Sequence, residues 1–266
     1  MSIRSIAFTA FVLLGCGGPT PPPETPASAA PPASTPAPAA EPPPAADAGT
    51  AEAPPAETPP AEDTGTPRER LMRAHFKETA DIRKAVIDGT LQATVKPAQA
   101  LSDMKGLGTP QKGWQPALDA MKNAAQRFGQ SPDMPAAAAA ISDIGVACGT
   151  CHRTGGGPKV EPGSAPAVDK TVASQMKLHA WATERLWEGL YVPSDASWKA
   201  GAGALKPGSF AKETLTKGGV HARSAAANFD TIVPTLAGKK TLEERAKAYA
   251  SLLETCSSCH MATGKK

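Results

Sequence analysis

The sequence predicts an all-α protein, with two tandem four-helix-bundle-like units following a disordered N-terminal tether. Three observations carry this expectation. Beyond Arg68, apolar residues recur at helical spacing, and no stretch alternates every second residue with β-branched enrichment. A five-residue pattern, C-x-x-C-H, occurs twice, as CGTCH from Cys148 to His152 and as CSSCH from Cys256 to His260. The segments upstream of the two copies also align with each other without a gap.

Residues 1–15 read as a secretory signal of the lipoprotein kind. Arg4 is followed by an apolar run through Phe8, Phe11, Val12, Leu13 and Leu14, too short to span a bilayer as a mature helix. The run ends in Leu13-Leu14-Gly15-Cys16, which resembles a bacterial lipobox and makes Cys16 the expected acylated N-terminus. Gly17 is not the aspartate that commonly retains lipoproteins at the inner membrane, so the expected location is the periplasmic face of a bacterial membrane, with the outer one favoured.

Residues 16–67 form the tether. From Gly17 onward it is almost wholly Pro, Ala, Glu, Thr and Ser, with no aromatic, Leu, Ile or Val to seed a core. It contains seven acids and no base, so Arg68–Lys266 holds 27 basic against 18 acidic residues. That surplus is moderate and scattered along the chain, and an exported protein would not meet nucleic acid, so no nucleic-acid partner is expected.

Residues 68–153 form the first expected unit and 170–266 the second, joined by a Gly/Pro-rich linker over 154–169. MRAHFKETADIRKAV from Met72 pairs with MKLHAWATERLWEGL from Met176. His75, Ile82 and Val86 match His179, Leu186 and Leu190 at offsets of 0, 7 and 11, which is one helical face. Met72 and Met176 stand three residues before those histidines, on the same side. Before the motifs, Ile141 and Ile144 match Tyr249 and Leu252 in phase. Between these outer helices the pattern predicts Pro97–Met104 and Gln115–Phe128 in the first unit, and Ser194–Leu205 and His221–Ile232 in the second.

On a helix, cysteines at i and i+3 lie on one face and a histidine at i+4 lies one turn from the first. That spacing suits two thioethers to one porphyrin edge and an imidazole on its iron, so Cys148, Cys151, Cys256 and Cys259 are expected covalent attachment points for two haem c groups, with His152 and His260 as iron ligands. A thioredoxin-like dithiol would need a βαβ setting, and a zinc site would leave the adjacent histidines unexplained. With Cys16 assigned to the lipobox, no cysteine remains for a disulfide.

Four helices with the motif on the last resemble the class II c-type cytochromes, the cytochrome c-prime family, here occurring twice over about Arg68 to Met261. The resemblance implies His152 and His260 as proximal ligands and a first-helix residue facing the other side of each haem. Family members place there an apolar residue or a methionine, whereas this chain offers His75 and His179, the favoured sixth ligands, with Met72 and Met176 as alternatives and an open iron as the third possibility. His221 has no counterpart in the first unit and is expected on a solvent-facing surface. Trp181 and Trp187 are expected to pack around the second haem as core.

With both faces of each iron capped, the expected function is one-electron transfer by a membrane-anchored periplasmic dihaem cytochrome, a carrier rather than a catalyst, with other redox proteins of the cell envelope as partners and the membrane reached through the lipid anchor. Oligomeric state is left open. The alternative is a haem enzyme or a gas or peroxide sensor, in which at least one iron keeps an open distal side.

Overall fold

In the computed structural model, which describes residues 65–104, 113–131 and 133–264, the first helix starts at a sequence signal that is fully used. Helix α1, Pro67–Ile87, opens with Thr66 accepting from the Glu69 amide at 3.2 Å while the Glu69 carboxylate accepts from the Thr66 amide at 2.7 Å. Pro67 sits at the first helical position, where its missing N–H costs nothing. The helix ends at Asp88, followed by Gly89 at φ 72°. The signal segment 1–15, Cys16 and the tether up to residue 64 lie outside the described residues.

A 3-10 turn at Leu91–Thr94 leads into α2, Val95–Asp103, and α3 covers Gln115–Phe128. Helix α4, Met134–Gly155, starts where Asp133 accepts from the Ala136 amide at 2.9 Å. Helix α5, Val172–Tyr191, is capped by Thr171, and α6, Asp195–Ala204, by Ser194. Helix α7, Lys212–Lys217, is a short piece inside a stretch whose sequence reads as turns, and it buries no residue. Helix α8, Gly219–Leu236, runs past the expected end at Ile232 and through Pro234, because burial of Val233 and Leu236 on either side outweighs one lost backbone bond. Helix α9, Leu242–Thr263, repeats the capping box of α1 with Thr241 and Glu244, and closes on Gly264 at φ 65°. No strand occurs among the described residues, so the chain is all-α there.

The described residues belong to one compact unit, Pro59–Lys266. In the earlier half α1 packs on α2 and α4, and α3 on α4; in the later half α5 packs on α6 and α9, and α8 on α9. The motif helices α4 and α9 also pack on each other, α4 against α5, and α1 against α9. One hydrophobic cluster therefore runs from Ile82, Leu101 and Phe128 through Ile141 and Ile144 to Leu186, Trp198, Phe229 and Leu253. Helix α4 is apolar and long enough to cross a membrane by length and composition, with mean hydropathy 1.3 over its best window. Here it is the central element, surrounded by α1, α3, α5 and α9, and a helix packed from several directions needs no polar face.

Contact between the halves is close at α4. Gly149, inside the first motif, has no side chain because a Cβ there would overlap the backbone carbonyl oxygen of Leu190 in the last turn of α5. The same end of α5 carries Tyr191. Across the interface, Arg83 pairs with Glu184 and lies over the Trp187 ring at 5.4 Å, and Phe76 meets Tyr191 with ring centroids 5.4 Å apart. The segment between α4 and α5 is tied down as well: Arg185 donates to the Pro162 carbonyl at 2.8 Å. Helix α4 extends two residues into the expected linker, and the non-helical part runs over residues 156–171.

Candidate functional site: two cavities at the paired motifs

The residues that the sequence pairs across each half meet at a cavity. The larger cavity, 1000 Å³, is lined by Cys148, Cys151 and His152 from α4 and by Met72, His75 and Phe76 from α1. Trp114 and Met121 close it from the α3 side. The smaller one, 390 Å³, is lined by Cys256, Cys259 and His260 from α9, by Met176 and His179 from α5, and by Phe210 and Phe229. Each cavity thus holds both cysteines, both histidines and the methionine expected for its half.

Neither cavity is built from one half alone. Trp187 and Tyr191 of α5 line the larger cavity, and Arg83, Lys84 and Asp88 of α1 line the smaller one. Trp187 was expected beside the later motif and instead faces the earlier one. Eight residues along a helix rotate a side chain about 80°, so Trp187 points away from the His179 face, towards the side of α5 that meets α4. Trp181 is half-buried, with the Arg185 guanidinium 5.5 Å from its ring centroid. His221, on α8, is exposed, as a solvent-facing role requires.

Burial disfavours the thiolate form at Cys148, Cys151 and Cys256. Burial, and then the neighbouring Cys151, pushes the Cys148 thiol up to about 12; burial, and then Cys259, pushes Cys256 up to about 12; burial raises Cys151. A protonated thiol in an apolar wall is the opposite of the low-pKa thiolate of a dithiol redox centre. Among the described residues no group of three or more His, Cys, Asp or Glu is placed to chelate a metal ion.

The histidines differ in informative ways. His75 is 9% exposed, and burial, with Lys122 adding to it, lowers its pKa to about 4. Burial, and then His260, lowers His179 to about 4. Both imidazoles are therefore neutral at physiological pH, the form a metal ligand takes. His179 stacks on Phe229 at 5.1 Å, and its Nε2 lies 3.1 Å from the Ser209 hydroxyl, so ligation through that atom would exchange the hydroxyl for the metal.

The Nδ1 of His152 lies 2.6 Å from the Tyr191 backbone carbonyl. A carbonyl only accepts, so Nδ1 carries the proton and the lone pair is on Nε2. Burial lowers the His152 pKa and this bond opposes the shift. A ring that donates its second nitrogen to a fixed acceptor has the orientation and tautomer of a metal-ligating histidine. At the later motif, His260 Nδ1 lies 3.8 Å from the Asp88 carboxylate.

Tyr191 and Asp88 are the residues that the reading of the sequence missed. Extending the gap-free alignment of Met72 with Met176 by two residues pairs Ile87 with Tyr191 and Asp88 with Val192, so both groups that face the motif histidines fall at the end of the aligned helices. The alignment marks the place but not that each helix end reaches the motif of the other half. No protein-family model, no curated protein and no solved structure matches the chain.

Proposed function

We propose that the chain is a membrane-anchored periplasmic dihaem c-type cytochrome that carries single electrons between redox proteins of the cell envelope. The supporting observation is that each C-x-x-C-H shares a cavity with the histidine and methionine that the internal repeat pairs with it. At the earlier motif the residues fit haem c: two thiols whose pKa values burial raises, an imidazole whose Nδ1 is engaged and whose Nε2 holds the lone pair, an apolar cavity beside them, and a second neutral imidazole in its wall; at the later one Cys256, Cys259 and His260 line a cavity with the neutral His179.

A bound haem c supplies reversible exchange of one electron between ferric and ferrous iron. The chain's part is to hold and shield it. Cys148 with Cys151, and Cys256 with Cys259, would hold the two groups covalently, and His152 and His260 would ligate the irons together with His75 and His179, or with Met72 and Met176 as alternatives. The apolar walls, buried Trp114 and Trp187 in one cavity and buried Phe229 with half-buried Phe210 in the other, limit the entry of water. Cys16 anchors the head to lipid through the acidic, proline-rich tether. The placement of each motif on the last helix of its half resembles the class II cytochromes.

A second reading, a haem enzyme or gas or peroxide sensor, is favoured by one observation: the cavity of the earlier half is much the larger, 1000 Å³ against 390 Å³. The two readings separate in one experiment on the full chain matured with a c-type haem assembly system. A pyridine haemochrome spectrum with intact mass is expected to give two haems per chain, falling to one in Cys148→Ser/Cys151→Ser and in Cys256→Ser/Cys259→Ser. Carbon monoxide is then expected to leave the reduced spectrum unchanged. A large shift at one haem would establish an open iron there, and absence of covalent haem would end both readings.

A further inference from the structure

Both proximal histidines are contacted by the other half of the chain, and the two contacts differ in charge. His152 donates to the Tyr191 carbonyl of α5, a neutral acceptor at 2.6 Å. His260 faces the Asp88 carboxylate at the end of α1, with Nδ1 and Oδ1 3.8 Å apart, while the other oxygen of Asp88 pairs with Lys84. Asp88 is three-quarters buried on its side chain and lines the same cavity as His260.

A negative charge beside a ligating imidazole favours the ferric over the ferrous state, because oxidation adds one positive charge to the site. A backbone carbonyl does this more weakly.

Resting on the dihaem reading above, we infer that Asp88 is a positioning residue which lowers the potential of the haem held by His260 below that of the haem held by His152, so that electrons enter at the later half and leave from the earlier one. The internal repeat has thereby become functionally asymmetric: equivalent helix ends present a carboxylate to one iron ligand and a peptide carbonyl to the other.

The test is a spectroelectrochemical titration of the full chain after its two haems have been counted. Two one-electron components are expected. Asp88→Asn should raise the lower component by roughly tenfold in its reduction equilibrium, about 59 mV for a one-electron couple, and leave the upper one in place. Lys84→Gln should lower the same component, since it removes the counter-charge from Asp88; Lys84 is an exposed side chain, so this variant folds even if the other does not. A purely structural role for Asp88 would not move the two variants in opposite directions. If haem is absent, the dihaem reading falls and the inference with it. If both haems are present and Asp88→Asn shifts neither component, the upper one, or both equally, or if Lys84→Gln does not lower the lower component, only the inference is overturned.

Discussion

Gly149 shows how much a single position inside a motif can depend on its surroundings. The two variable residues of C-x-x-C-H are free in the attachment chemistry, and the later motif uses Ser257 where the earlier uses Gly149. The difference is steric: Gly149 faces the backbone of Leu190, which has no side chain to swing away. Gly149→Ala is expected to destabilise the chain by about 1–3 kcal/mol, the cost of overpacking a filled core, and to disturb the adjacent bond from His152 to Tyr191. Thermal unfolding and the NMR signal of the His152 ring would read the two effects separately. His75 and His179 make a second claim at this scale. Their folded pKa values near 4 lie below the ordinary value of 6.5, so the unfolded chain binds more protons between those limits. Stability is therefore fully present above pH 6.5 and is lost as pH falls through about 4. Iron ligation would act in the same direction, since it too requires the neutral ring. Urea unfolding at pH 7.5 and pH 5 should show the loss, and His75→Gln combined with His179→Gln should flatten it; an unchanged slope would mean these imidazoles do not carry it.

At the level of elements, helix faces were the most readable features. The helix starts carry a signal that the expected elements did not include: Thr66-x-x-Glu69 and Thr241-x-x-Glu244 are both closed capping boxes, one on the first helix and one on the helix of the later motif. Thr241→Ala is expected to cost about 1 kcal/mol, seen as a lower melting temperature. The stripe expected at His75, Ile82 and Val86 is buried in α1, and Leu186 and Leu190 are buried in α5. Helix α7 was not legible, because Lys212–Lys217 lies between glycines and buries nothing that would leave a periodic trace. The direction of Trp187 was not legible either, since periodicity ranks positions around a helix without saying which neighbour each side will meet.

Over the whole molecule, the shared core makes the halves interdependent. Trp187 of α5 is buried at 1% exposure against the Tyr249 ring of α9, 6.0 Å away, and under Arg83 of α1. The folded region should accordingly unfold in a single transition, with calorimetric and van't Hoff enthalpies in agreement. Trp187→Ala should lower the stability of that one transition by about 3–5 kcal/mol. Two separated transitions, or a stable isolated fragment ending at Gly155, would show that each half folds without the other.

The sequence by itself determined the helical class, the apolar helix faces and the spacing of the two motifs. These depend on spacing along one chain segment, and spacing is a local property. The tertiary structure alone decided that α4 and α9 pack together, that the cavities differ in size, and that each motif histidine faces a group from the opposite half. Those outcomes depend on how helices some hundred residues apart dock, and docking is governed by shape at contacts such as Gly149 on Leu190 rather than by any pattern within one helix. The same repeat could have placed equal groups beside both histidines, but the ends of α1 and α5 came to rest with a carboxylate near one and a carbonyl hydrogen-bonded to the other.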